Sequence, residues 1–318
     1  NKTCQNCKQN FQIVEADFEF YKKISVPAPT FCPDCRTQRR MVYRNERTLY
    51  KDTCDLCKKS MLSSYAPGKP FTDYCKDCWY GDGWDPLQYG RTYDFNKPFF
   101  EQFKELMQVV PRLNLMYIHQ NVGCDFANFV ADAKNVYLSF SVVRGENVFY
   151  SRVVDDSRDV FDSLNVKELE RCYQIIDSSL NYDSAYMIRS RDCVGSRFLF
   201  DCVNCQDCFM SSNLRSKRYV IRNKQLSKEE YEREMAKINT GSHQNLTQLS
   251  IELKEMIQNA LHKFSNSIKI VASTGDNLMN AKNAIQAFDS YDDENIKYCI
   301  RAFKVADSYD VTGSGGGG

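Results

Sequence analysis

The 318-residue sequence carries 42 Lys and Arg against 41 Asp and Glu, so no chain-wide field draws it to nucleic acid or membrane and any charged partner must be met by a local patch. At roughly 100 to 150 residues per domain, the length predicts two or three packed units. The longest apolar runs fall far short of the ~18 residues that cross a bilayer, and the N-terminus lacks the basic-then-apolar pattern of a leader, which predicts a soluble, cytoplasmic protein with no membrane partner.

Eight of the 15 cysteines form four Cys-x-x-Cys pairs, a metal-ligand spacing that predicts a reducing compartment. The first set is Cys4, Cys7, Cys32 and Cys35; the second is Cys54, Cys57, Cys75 and Cys78. Two thiolates three residues apart can turn toward one ion, and a second pair completes a tetrahedron of sulfur at about 2.3 Å. Four thiolates leave no position for water or substrate, so both sites are expected to be closed and structural, with two Zn2+ ions as cofactors. Iron in a rubredoxin-like site is the rival occupant, and interleaved pairing of the two sets is the rival connectivity.

Cys4, Cys7, Phe11, Glu19, Phe20, Tyr21, Pro27, Pro29, Cys32, Cys35, Arg36, Arg39 and Arg40 together follow a spaced pattern. It resembles the family of short Cys4 zinc-ribbon or treble-clef domains, over about 37 residues. The resemblance implies zinc and a small binding module but no activity. The rest of the chain resembles bacterial proteins of unassigned activity with a Cys-rich front followed by repeats.

Beyond the second knuckle, Arg36, Arg39, Arg40, Arg44 and Arg47 recur at three to four residues. A helix there would gather most of them on one face, suited to phosphate contacts. The competing reading pairs them with Asp17, Glu19, Asp34 or Glu46, or lays them over aromatic rings. Residues 79–100 then bring Trp79, Tyr80, Trp84, Tyr89, Tyr93 and Phe95 among Gly and Pro breaks. Trp79 and Trp84 could stack on unpaired bases, although such aromatics more often bury a module's interface. Phe99, Phe100, Phe103, Leu106, Met107 and Val110 predict a short amphipathic helix over about 98–109, ended by Pro111, covering the end of the next domain.

From about residue 120 a twelve-residue repeat sets in. Asn135, Asn147, Asp159, Asp183 and Asp207 fall at multiples of twelve, with Arg171 and Gly195 in the intervening registers. Phe126, Tyr137, Phe149, Phe161, Tyr173, Tyr186, Phe198 and Phe209 keep the same beat. So short a unit cannot bury its own apolar face, which predicts stacking into a parallel β-solenoid with two units (24 residues) per rung, or three (36). Asn283, Asn295 and Asp307 resume the period. Between the blocks, Ser227 and Glu230 form a capping box ahead of one helix, and Leu246, Leu249, Leu253, Ile257, Leu261 and Phe264 line a second, a predicted hairpin.

The expected fold class is therefore mainly β. Its parts are a zinc ribbon or treble clef at 1–50, a second zinc ribbon at 51–95, a capping helix and linker at 96–119, β-solenoid at 120–226, helical hairpin at 227–266, a second solenoid block at 267–312 and a glycine-rich tail at 313–318. Cys193, Cys202, Cys205 and Cys208 could hold a third metal or an iron-sulfur cluster, against an inward packing role that Cys172 and Cys208 share with Val136, Val148 and Val160. Only His119, His243 and His262 offer imidazoles, and no phosphate-binding fingerprint occurs, so no catalytic residue is assigned and no enzyme is expected. Asp155, Asp156, Asp159 and Asp162 are the one carboxylate cluster, which on a β-helix could serve glycan binding.

The resulting expectation is a non-enzymatic zinc protein. It would bind RNA, DNA or a ribonucleoprotein through Arg36, Arg39, Arg40, Arg44, Arg47, Trp79 and Trp84, with the solenoid as scaffold. The alternatives are a protein-interaction or self-assembly scaffold without nucleic acid, and a carbohydrate-active β-helix.

Overall fold

The computed structural model describes residues 1–42, 45 and 47–315. The chain is mainly β and divides into two compact units, one of residues 1–45 with 262–318 and one of residues 46–261. No helix among the described residues is long and apolar enough to cross a membrane.

The first unit opens with a two-residue hairpin, Lys2–Thr3 against Asn10–Phe11, whose tip carries Cys4 and Cys7. Helix α1 (Glu15–Lys23) follows, then α2 (Pro33–Met41). Cys32 is the N-cap residue of α2 and Pro33 its first residue, the position where a missing N–H costs nothing. The C-terminal part of this unit is a parallel sheet of Gly275–Met279, Ala287–Tyr291, Ile300–Phe303 and Thr312–Gly315, with Glu294–Lys297 and Ala306–Tyr309 paired separately. Leu278, Ala281, Ala284, Ala287, Ile296, Cys299, Ala302 and Val305 make its core.

The second unit begins with the same device: Tyr50–Thr53 pairs with Ser60–Ser63 around Cys54 and Cys57, and Cys75 caps the short helix α3 (Lys76–Tyr80). Helix α4 (Phe99–Val109) forms where expected but buries none of its residues. Its apolar side chains therefore do not do the covering that the sequence suggests. A ten-stranded sheet follows, parallel except for its last pair, Arg218–Ile221 with Lys224–Gln225. Helices α5 (Lys228–Met235) and α6 (His243–Asn259) close the unit, and Ser227 and Glu230 make the expected reciprocal cap on α5.

After an irregular start, where Tyr117 pairs with Val130, parallel partners in the two large sheets stand twelve apart, as in Phe140 with Arg152, Leu164 with Ile176 and Ile300 with Thr312. The expected 24- or 36-residue return is thus corrected to twelve. The reason is a period of three inside the period of twelve. From Val130 to Val166 the inward slot recurs at every third residue and holds Val, Ala, Ser or Gly; later it also takes Cys, Ile, Met and Leu. The residue before each inward one has positive φ, without a break from Phe129 to Arg222. A left-handed residue turns the chain sharply, so three residues complete one side and twelve bring it back beside itself. The same bends let the strand Phe126–Phe149 run on for 24 residues.

Asn and Asp fill many of these left-handed positions because their short polar side chains tolerate that conformation. They also bond to one another along the stack. Asn135 donates to Asn147 at 2.8 Å and Asn147 to Asp159 at 2.7 Å, and Asn283 donates to Asn295 at 2.9 Å. Inward serines perform a second service. Ser139 Oγ accepts the N–H of Ser151 at 2.9 Å, and Ser151 Oγ accepts that of Ser163 at 3.0 Å, satisfying buried backbone donors.

Candidate metal centres

Each cysteine set is assembled from a hairpin tip and a helix N-terminus. In both tips a lysine adopts positive φ (Lys8 at 63°, Lys58 at 62°), and its N–H returns to the carbonyl of the first cysteine. That turn aims Cys4 and Cys7, or Cys54 and Cys57, at the pair carried by α2 or α3. The sulfurs of Cys4, Cys7, Cys32 and Cys35 lie within 4.8 Å of one another, as do those of Cys54, Cys57, Cys75 and Cys78. Both groups can hold a metal ion.

The spacing suits a tetrahedron. Sulfurs at about 2.3 Å from a central ion stand about 3.8 Å apart. Cys7 and Cys32 are 3.7 Å apart, and Cys57 and Cys75 are 3.8 Å apart. Backbone N–H groups point at the sulfurs as well, Cys32 to Cys4 at 3.2 Å and Cys75 to Cys54 at 3.3 Å, while the Asn6 amide reaches Cys35 at 3.3 Å.

Ionisation follows the same geometry. Burial works against a thiolate at Cys4, but N–H bonds from Cys32, Cys7 and Asn6 outweigh it and bring the pKa down to about 6. Cys54 is lowered to about 7 against burial by the N–H groups of Cys57, Cys75 and Leu56. Cys32 and Cys78 are pushed up to about 12 by burial and by neighbouring thiols. Each set thus has one thiol poised to ionise, Cys4 or Cys54, while Cys32 and Cys78 resist ionisation until a cation compensates the charge.

The chain matches no family model and no curated protein. The metal centres therefore rest on the sulfur geometry.

Arg36 donates through Nε to Asp310 at 2.8 Å and through Nη1 to the Phe31 carbonyl at 2.7 Å, with its guanidinium 5.0 Å from the Tyr298 ring. Arg40 donates to the other Asp310 oxygen at 2.9 Å, to Thr312 at 3.0 Å and to the Tyr298 carbonyl at 3.0 Å. Arg39 is exposed and lies over Phe31, and Arg47 is exposed. Arg44 falls outside the described residues, as does Glu46, one of the acids considered as a partner. Among the described arginines of the first unit, Arg39 is exposed while Arg36 and Arg40 turn inward to an acid that the sequence alone did not single out. Asp17, considered as an arginine partner, instead accepts from Lys297 at 2.7 Å.

Trp79 and Trp84 pack on each other, their centroids 4.9 Å apart, and the Trp84 indole donates to the Trp79 carbonyl at 3.0 Å. Tyr74 and Tyr89 flank Trp84. In this cluster Tyr74 is buried, and Trp79, Trp84 and Tyr89 are half-buried. Cys193, Cys202, Cys205 and Cys208 are buried in inward slots, and each donates its S–H to the carbonyl two residues back. Cys205 has the other three thiols as neighbours, but the four sulfurs do not gather within 4.8 Å of one another as each of the other two sets does, and those two sets are the only candidate metal groups among the described residues.

Asp155 is engaged by Arg144 and lies 4.0 Å from Lys167, and burial raises its pKa. Asp156, Asp159 and Asp162 occupy successive left-handed positions, so the carboxylates spread around the chain instead of facing one point. His119 pairs with Asp132 at 3.0 Å on the surface, and His243 begins α6.

One feature emerges only in three dimensions, although the aromatic beat announces it. Tyr186 stacks on Phe198, their centroids 4.4 Å apart, and Phe198 meets Phe209 edge-on at 5.4 Å, beneath α5 and α6. Tyr137, Phe161 and Tyr173, with Tyr150 beside them, continue the row but stay 37 to 56% exposed.

Proposed function

We propose that the chain is a non-enzymatic zinc protein in which two closed Cys4 clips stabilise a β-solenoid of twelve-residue rungs, each rung having four three-residue sides. Its task in this reading is to present an apolar side of the solenoid to a protein partner. The observation that carries it is the split aromatic row: α5 and α6 cover Tyr186, Phe198 and Phe209, whereas Tyr137, Phe161 and Tyr173 remain open. Exposed aromatics in one line supply the rigid, large contact area that protein interfaces concentrate.

Zinc fits an all-thiolate tetrahedral donor set with no open position, and its part is to fix the knuckles. Arg36 and Arg40 already have carboxylate, hydroxyl and carbonyl partners, which among the described arginines leaves Arg39 and Arg47 as the exposed members of the nucleic-acid reading. That favours the scaffold.

The experiment is capture of partners by immobilised full-length protein, beside a Tyr137→Ser/Phe161→Ser variant, before and after nuclease. Proteins retained by wild type, lost from the variant and indifferent to nuclease support the reading. Capture that nuclease abolishes would replace the scaffold with nucleic-acid binding.

A further inference from the structure

The geometry points to a second copy of this chain as a partner of the open row, entering through its α4. This rests on the scaffold reading and names the occupant. Two apolar surfaces of the same unit are exposed among the described residues. One is the open row at Tyr137, Phe161 and Tyr173; the other is α4, where Phe99 is 53%, Phe100 80% and Phe103 44% exposed.

The mode of contact already exists within the chain. Leu246, Leu249, Leu253 and Met256, at helical spacing on α6, belong to the apolar cluster that covers Phe198 and Phe209 farther along the same row. Helix α4 offers the equivalent pattern. Phe99, Phe103 and Met107 stand at i, i+4 and i+8, with the Phe99 and Phe103 rings stacked 5.6 Å apart. The lengths agree as well. Eleven helical residues span about 16 Å, and the three strand steps from Tyr137 to Tyr173 span about 14 Å.

Each copy therefore carries one donor helix and one acceptor row. A contact between unlike surfaces is heterologous, so it propagates from copy to copy unless the rotation closes a ring. Charge at either surface breaks it. The buried half of the row is not involved, which keeps the test apart from folding.

The test is sedimentation of the full-length, metal-loaded chain over a range of concentrations, for wild type, Phe103→Glu, Phe161→Glu and Glu101→Gln. Wild type and Glu101→Gln are expected to grow beyond dimer as concentration rises. Each of the other two should lower the association constant by at least about tenfold. An equal mixture of Phe103→Glu and Phe161→Glu should form a one-to-one dimer and no more, because only one intact helix and one intact row remain to meet. Circular dichroism and metal content confirm that the variants fold. A wild type that stays monomeric, self-association that neither substitution weakens, or a mixture that does not recover a dimer would overturn the proposal. If wild type is monomeric yet still captures proteins through Tyr137 and Phe161, the scaffold reading survives and only this occupant falls. If that capture fails too, both fall.

Discussion

Arg36 and Asp310 lie 274 positions apart in sequence and meet at 2.8 Å, with Arg40 on the second oxygen of the same carboxylate at 2.9 Å. The side chains of Arg36, Arg40 and Asp310 are 12, 20 and 25% exposed, so this is a partly desolvated cluster. Replacing Asp310 by Ala leaves two guanidinium groups short of their counter-ion. We expect a loss of about 2 kcal/mol, below the full cost of a buried pair because water still reaches the cluster. Denaturant unfolding of Asp310→Ala, Arg40→Ala and the double variant checks it: the double should cost less than the two singles added.

The two cysteine groups predict a countable change. Wild type should bind one ion at each of the two cysteine groups. Cys7→Ser or Cys57→Ser, each at an exposed ligand position, should remove one ion and leave the other in place. Metal analysis after exhaustive dialysis reads the stoichiometry. The tetrahedral thiolate bands of a cobalt-substituted sample show which centre is lost. Retention of both ions in either variant would contradict the assignment of that ligand.

Much of this was legible in the sequence, for local reasons. Cys-x-x-Cys spacing specifies a knuckle irrespective of its surroundings, and the twelve-residue beat marks units that must stack. The finer period was harder to see because the inward slot accepts chemically unlike residues: Val136, Ser139, Val142 and Gly145 hold it in turn. What those residues share is small size, together with, for serine, the ability to serve the backbone. Asp310 and the cover over Phe198 could not be read at all. Both depend on contacts between distant segments, and neither leaves a local spacing.

Ser151 tests the backbone service directly. Its Oγ accepts the N–H of Ser163 at 3.0 Å and donates to the Phe149 carbonyl at 2.8 Å. Ser151→Ala leaves that buried donor unsatisfied, at an expected cost of about 1 to 3 kcal/mol. Ser151→Cys should fall between the two, because thiols such as Cys172 donate to carbonyls in the same kind of slot at 3.4 Å but accept weakly. Thermal unfolding of the three proteins ranks them. Equal stability of wild type and Ser151→Ala would dismiss the role.

Gly275 is confined by its neighbour. Its φ is +138°, and a Cβ there would stand 1.7 Å from the carbonyl oxygen of Ala287, an atom that cannot swing away. Gly275→Ala should cost more than about 3 kcal/mol. Gly68 also has positive φ, +78°, but a Cβ there meets nothing within 4 Å, so Gly68→Ala should cost about 1 kcal/mol. Comparable losses in the two variants would show that space at Gly275 is not the controlling factor.

Asp293 gives the fold a pH dependence. It is buried, Oδ1 accepts the Val305 N–H at 2.8 Å, and Oδ2 has no partner. Burial raises its pKa from 3.8 to about 6. The folded state therefore takes up its proton before the unfolded state does, and this contribution makes the protein more stable as pH falls from about 6 toward 4. Asn181 occupies an equivalent slot in the other unit, where its amide both accepts from Cys193 at 2.9 Å and donates to Ser190 at 3.0 Å. Asp293→Asn should consequently stabilise the protein at pH 7 by on the order of 2 kcal/mol and abolish that pH-linked gain. Unfolding temperatures measured at several pH values decide it.

The most direct test of the scaffold reading is a salt titration of single-stranded RNA, single-stranded DNA and duplex DNA binding by metal-loaded wild type and an Arg36→Ala/Arg40→Ala variant, with unfolding temperatures measured in parallel. If those arginines hold the first unit together, the variant melts earlier and no salt-steep nucleic-acid binding depends on them. If wild-type affinity instead falls linearly on a log-log salt plot, with a shallower slope in the variant, the arginines read phosphate and the scaffold reading is wrong.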